Sequence, residues 1–187
     1  MPDPLAHAAP FADLTLVLGG ARSGKSAYAE SLVEGHLARH PRAVALYLAT
    51  AEAGDAEMAE RIRQHRARRG TRWRTVEAPL EVAAVLASGG PAAPALLDCL
   101  TLWLANQMAA GHDPAGETER LLAAARAHPA PVVLVANEVG LGIVPKNALA
   151  RAFRDEAGRL NQRAAAAADR VVFVAAGLPL VMKEARS

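Results

Sequence analysis

A chain of 187 residues with 52% hydrophobic, 21% charged and only 4% aromatic side chains is the size of one compact domain, with a core built mainly from Ala, Leu and Val. A net charge of +2 is too small for a nucleic-acid footprint, and the one local cluster of arginines, from Arg61 to Arg74, suits a small phosphorylated ligand better than a duplex. The single cysteine, Cys99, excludes an intrachain disulfide and reads as a small core residue of a cytoplasmic protein.

Residues 1–12, rich in Ala and Pro, read as a disordered tail ahead of one folded domain, residues 13–187. The tail has neither the basic start nor the long apolar stretch of a secretory signal, and no later stretch reaches membrane-spanning length. Leu14 to Leu18 is a short apolar run that ends at Gly19-Gly20, as expected of a buried strand feeding a tight turn, and Ser26 to Arg39 follows as helix. Ala43 to Ala49 predicts a second strand. Beyond it Asp55 stands as a candidate N-cap, with Met58, Ile62 and His65 at helical spacing through about Arg69. Ala95 to Leu97, Val132 to Ala136 and Val171 to Ala175 predict three further strands, separated by helices over Leu100 to Ala110, Glu117 to Ala127 and Asn147 to Ala168. Ser88 to Pro91 and Gly111 to Pro114 are turn clusters. This alternation is that of an α/β fold, a mostly parallel sheet flanked by helices, with ligands bound beyond the carboxyl ends of the strands.

The sharpest signal is Gly19-Gly20-Ala21-Arg22-Ser23-Gly24-Lys25-Ser26, which fits the pattern G-x-x-x-x-G-K-[ST] between a predicted strand and a predicted helix. Glycines let the backbone close around phosphate oxygens, the N–H groups at the helix start donate to them, and the helix dipole favours their charge. Lys25 is expected to reach the β- and γ-phosphates, and Ser26 to place its hydroxyl on Mg²⁺. Asp98, which closes the run Pro94 to Leu97, is the candidate second metal carboxylate; the competing reading makes it the N-cap of the next helix. The motif establishes a P-loop nucleotide-binding domain and leaves the reaction open.

Taken with Tyr47-Leu48-Ala49-Thr50-Ala51, Arg61-Ile62-x-x-His65-Arg66, Trp73-Arg74-Thr75, Asp98 to Trp103, Asn137-Glu138-Val139-Gly140 through Pro145, and Arg151 to Gln162, the sequence resembles the adenosylcobinamide kinase / adenosylcobinamide-phosphate guanylyltransferase family from about Leu14 to Lys183. The resemblance implies a P-loop NTPase fold of RecA-like type, Mg²⁺, GTP and ATP as substrates, a homotrimer, and two reactions on one corrinoid in cobalamin biosynthesis. The first phosphorylates adenosylcobinamide. The second attaches GMP from GTP to adenosylcobinamide phosphate, with release of pyrophosphate. It further implies that His65 is the catalytic nucleophile beside Lys25, and that Ala49, Thr50, Ala51, Arg66, Arg68, Arg69 and Glu77 contact the nucleotide together with the P-loop and Asp98. One departure stands out: the family pattern places two acids before a proline, whereas this chain has Glu77-Ala78-Pro79.

The chemistry at position 65 is self-consistent. Arg61, Arg66, Arg68 and Arg69 lie within about a helical turn, and their charges disfavour imidazolium, leaving the nucleophilic neutral ring. They also screen a triphosphate against an approaching lone pair. Asn137 and Glu138 directly follow a strand, where they read equally as substrate-orienting residues or as a plain turn. Arg151, Arg154, Arg159 and Arg163 share a helix with Asp155 and Glu156, so some are expected in i,i+4 pairs and the set reads as structural rather than as a ligand site, and Trp103 and Phe153 read as packing residues. Two other functions remain: a small-molecule P-loop kinase with a dispensable His65, or a nucleotide-dependent switch that releases only nucleoside diphosphate and phosphate.

Overall fold

The structure is a computed structural model that describes residues 12–51, 70–88 and 92–184. The expected tail (but for Ala12), the expected helix after Asp55, and His65 with Arg61, Arg66, Arg68 and Arg69 all lie outside the described residues.

In chain order the elements are β1 (Leu14–Gly19), α1 (Lys25–Arg39), β2 (Ala45–Ala49), β3 (Trp73–Glu77), α2 (Val82–Ala87), β4 (Ala95–Asp98), α3 (Leu100–Ala109), α4 (Pro114–Ala127), β5 (Val132–Asn137), α5 (Ala148–Ala167), β6 (Arg170–Ala175) and β7 (Leu178–Lys183). The strands form one seven-stranded sheet in the order β3-β2-β4-β5-β1-β6-β7. Six run parallel; β7 returns antiparallel beside β6. Parallel strands need crossover helices, which cover both faces and bury the sheet from both sides. Accordingly every residue of β1 is buried.

The two-residue side-chain period of the strands divides the core. Leu14, Leu16 and Leu18 face a layer that contains Leu100, Trp103, Leu121, Leu160 and Ala164 from α3, α4 and α5. Val17 faces the opposite layer, with Val133, Val135, Val172 and the α1 residues Ala29, Leu32, Val33 and Leu37. Trp103 is 1% exposed, and Phe153 packs against the larger layer, as expected of packing residues. Cys99 is buried in the smaller one.

Two strands and one helix go beyond the sequence expectations. β3 and β7 are the edges of the sheet, where one side lacks a hydrogen-bonded neighbour among the described residues. α2 is a six-residue helix with no side-chain cap, too short for a periodic signal. α4 starts at Pro114 rather than Glu117, because the Asp113 carboxylate caps it by accepting from Ala115 and Gly116 N–H at 3.1 and 2.9 Å. The arginines of α5 are structural, but not through i,i+4 pairs. Arg154 meets its neighbour Asp155, Arg159 meets Glu156 at i,i+3, and Arg163 reaches Glu119 on α4. Arg151 donates to the carbonyls of Pro145 and Lys146. Among the described residues no helix is long and apolar enough to cross a membrane.

Candidate active site

The sheet register gathers the candidate residues at one edge. Ala49 at the end of β2 is level with Glu77 on β3 and with Asp98 on β4. β1 and β5 run on to Gly19 and Asn137, which are themselves paired. The chain then turns from β1 through the glycine loop into α1.

Local packing explains the loop's composition. A Cβ on Gly19 would stand 2.5 Å from the Val174 carbonyl oxygen and 2.5 Å from Ser23 Oγ. Gly24 has φ +95°, and its ideal Cβ would meet Gly177 Cα at 3.2 Å; only glycine combines that left-handed turn with that approach. The loop is held from outside by the β6–β7 turn, where Gly177 N–H donates to the Ser23 carbonyl at 2.8 Å. Gly24 caps α1 with no side-chain hydrogen bond, so the first N–H groups of the helix receive no cap from a side chain there. Ser23 Oγ is likewise buried without a hydrogen-bond partner among the described residues. Donors converging at a helix start make an anion site. Gly20 is half-buried, Ala21 and Arg22 are exposed, and Arg22 adopts φ 56°.

Lys25 is only 8% exposed and donates to the Gly20 carbonyl at 3.1 Å. Its charge is felt at the end of β4, where it pulls against the rise of the Cys99 thiol. Burial first, and then the Asp98 charge, push that thiol up to about 11. Asp98 belongs to the strand, not to the helix that follows: Cys99 is the N-cap of α3, so the capping role read as one alternative falls to the next residue. By strand alternation Asp98 shares a face with Leu96, which packs in the α1 layer, so its carboxylate lies on the face from which Lys25 and Ser26 start their helix. Tyr47 donates its hydroxyl to Asp98 Oδ2 at 2.9 Å. The Asp98–Cys99 peptide is cis.

Thr50 is fully buried, and its hydroxyl is engaged with Cys99: it donates to the Cys99 carbonyl and accepts from the Cys99 N–H, both at 2.9 Å. Its carbonyl accepts from Asn106 Nδ2 at 2.9 Å, and the same amide donates to the Pro79 carbonyl at 3.1 Å. Asn106 thus staples the chain beyond β2 to the chain beyond β3. Ala49 and Ala51 are half-buried and Glu77 is exposed. Asn137 closes β5 and its N–H donates to Thr101 Oγ1, while Glu138 follows the strand, its N–H donating to the Gly19 carbonyl and its carboxylate accepting from Gly140 N–H.

Neither Tyr47, although it opens the segment Tyr47 to Ala51, nor Asn106 has a site role that the sequence points to. Tyr47 sits in an apolar run and Asn106 on a helix; only the parallel pairing of β2 with β4, which sets Tyr47 opposite Leu96 and diagonal to Asp98, gives the tyrosine its partner.

A family model described as cobinamide kinase / cobinamide phosphate guanyltransferase matches residues 15–182, nearly the whole chain. The chain belongs to that family. It is 49% identical over 172 residues to the bifunctional adenosylcobalamin biosynthesis protein CobP of Pseudomonas aeruginosa, covering 90% of this chain and 96% of the relative. It is 42% identical over 186 residues to the bifunctional adenosylcobalamin biosynthesis protein CobU of Salmonella typhimurium, covering 91% and 99%. The crystal structure of the flagellar accessory protein FlaH from Methanocaldococcus jannaschii superposes with a TM-score of 0.58 at 12% identity, covering 97% of this chain and 83% of that one. At that identity the likeness concerns the fold, a P-loop NTPase fold of RecA-like type.

Proposed function

We propose that one nucleotide site at the carboxyl edge of the sheet serves both reactions of the family, and that the second runs through a guanylyl group carried on His65. The protein is a transferase of cobalamin biosynthesis, a cobinamide kinase and cobinamide-phosphate guanylyltransferase like its family. The observation that carries the single-site reading is the placement of the glycine cradle, the buried Lys25 and Asp98 on one edge and one face of the sheet.

In the kinase step the corrinoid hydroxyl attacks the γ-phosphate of GTP or ATP. The reaction needs positioning and charge neutralisation rather than a covalent intermediate, and Lys25 and the α1 N–H groups supply both. Ser26 and Asp98 present a hydroxyl and a carboxylate, the hard oxygen donors that suit Mg²⁺. When bound there, the ion would neutralise phosphate charge. In the second step the His65 nitrogen attacks the α-phosphate of GTP, pyrophosphate leaves, and the corrinoid phosphate then takes GMP from the histidine. Arg66, Arg68 and Arg69 accompany that nucleophile and screen the phosphates; Ala49, Ala51 and Glu77 line the base and ribose side, with Thr50 holding its backbone in place. The reading includes a homotrimer in the cytoplasm with no nucleic-acid partner, which light scattering and fractionation check.

The test is incubation with GTP labelled at the α-phosphate. Wild type should acquire an acid-labile, base-stable label that His65→Ala abolishes while kinase turnover largely persists. An unlabelled wild type that turns over both reactions would exclude the covalent route.

A further inference from the structure

The stretch between β5 and α5 carries apolar side chains that the single chain leaves exposed. Leu141, Ile143 and Val144 are 83%, 99% and 60% exposed, and Leu149 in the first turn of α5 is 70% exposed. The stretch is anchored at both ends. At one end Glu138 N–H donates to the Gly19 carbonyl at 3.1 Å. At the other, Arg151 Nη1 donates to the carbonyls of Pro145 at 3.0 Å and Lys146 at 2.6 Å, and the Asn147 side chain caps α5 by accepting from Leu149 N–H at 2.8 Å.

Several exposed apolar groups on one short stretch mark a candidate binding surface. Two observations say what it binds. The first is position: the loop leaves the sheet at Glu138, whose N–H is bonded to the carbonyl of Gly19, the opening residue of the phosphate cradle, so its start adjoins the cradle. The second is chemistry: between Glu138 and Lys146 no side chain ionises, and the run Val139-Gly140-Leu141-Gly142-Ile143-Val144-Pro145 offers only apolar contact. Nucleotide phosphates demand the opposite. The other substrate of the family is a corrinoid, a broad macrocycle edged with methyl groups and uncharged amides, too large for a closed pocket and suited to an open apolar platform.

We propose that the corrinoid ring of the acceptor docks on Leu141, Ile143, Val144 and Leu149, with its hydroxyl- or phosphate-bearing arm directed to the cradle. This rests on the functional reading above. The site is a platform beside the P-loop, so it serves both reactions without moving the ring.

The test compares wild type, Leu141→Ser/Ile143→Ser and the control Met182→Ser, which alters an exposed apolar residue of β7 outside the platform. Calorimetric titration with adenosylcobinamide and, separately, with GTP gives the affinities, and light scattering gives the subunit number. The double variant should bind adenosylcobinamide about tenfold or more weakly, since two side chains lose their burial, with GTP affinity within about twofold and the subunit number unchanged. The control should match wild type. Unchanged corrinoid affinity in the double variant, beside a wild type that binds, would overturn the platform alone. A fall in subunit number in the double variant would also overturn it, assigning the patch to a second copy of the chain. A wild type that binds GTP but no corrinoid would overturn the functional reading and the platform with it.

Discussion

The Tyr47 hydroxyl donates to Asp98 Oδ2 at 2.9 Å, and the tyrosine itself is 4% exposed. A buried donor on one carboxylate oxygen fixes the orientation in which the carboxylate faces the start of α1. Tyr47→Phe removes the donor with almost no change in packing. We expect a stability loss of about 1 kcal/mol in urea, the net worth of one hydrogen bond. The kinase step should need several-fold more Mg²⁺ for half-maximal rate, and Asp98→Asn should lower its rate by about a hundredfold. A Mg²⁺ titration of initial rates reads both.

The glycines of the cradle should differ sharply in tolerance. Among the described residues nothing stands within 4 Å of a Cβ on Gly20, whereas one on Gly19 meets a backbone oxygen at 2.5 Å. Gly20→Ala should fold with near wild-type stability, and Gly19→Ala should lose about 1–3 kcal/mol and bind GTP at least about tenfold more weakly. Thermal melts with and without GTP separate the two effects.

Asn106 satisfies two backbone carbonyls with one amide nitrogen. Asn106→Ala should destabilise by about 1–3 kcal/mol, because the carbonyls of Thr50 and Pro79 lose their donor in a half-buried site. The same staple joins the ends of β2 and β3, so the KM for GTP should rise while Asn106→Asp, which lacks the amide donor, gives no rescue. Steady-state kinetics beside urea melts checks this.

Cys99 should resist alkylation in the folded protein. Burial and the neighbouring Asp98 hold the thiol at about 11, so at pH 8 only about one molecule in a thousand carries a thiolate. Iodoacetamide should label it at a rate set by unfolding, and denaturant should expose it fully.

Asp169 links β6 to β1 and α4: it accepts from Leu14 N–H at 3.0 Å and from Arg126 Nη1 at 2.7 and 2.8 Å. Burial alone raises its carboxyl, but the Arg126 hydrogen bond and the Leu14 N–H outweigh that and hold it below the usual value. A lowered carboxyl contributes stability that is complete above its unfolded value, about pH 4, and is lost as pH falls through the native one. Wild type should therefore lose stability relative to Asp169→Asn below about pH 4 and not at pH 6–8, as urea melts across that range would show. Arg126→Ala should cost at most about 1 kcal/mol at neutral pH, since the pair is half exposed.

The sequence by itself determined the parts of this protein that depend on local spacing. The cradle from Gly19 to Ser26 needs consecutive residues, and it is read in full without a neighbour. The apolar runs of β1, β2, β4, β5 and β6 are legible because strands buried on both faces are apolar at every position. The turn at Gly111 and a helix beginning near Asn147 are likewise marked in the sequence, whereas Asp113, which reads as part of that turn, is the cap of α4 and Asn147 the cap of α5. The tertiary structure decided what depends on pairing between distant segments. β3 and β7 are edges: Trp73-Arg74-Thr75-Val76-Glu77 mixes polar and apolar residues, and the apolar run Leu178 to Met182 contains Pro179, which demotes a run from a central strand. The partners of Asp98, Thr50 and Asn106 lie 27 to 56 residues away in the chain. Only the order β2-β4-β5-β1 brings Asp98 level with Ala49 and onto the face of α1, because register is a property of two strands and is written in neither alone.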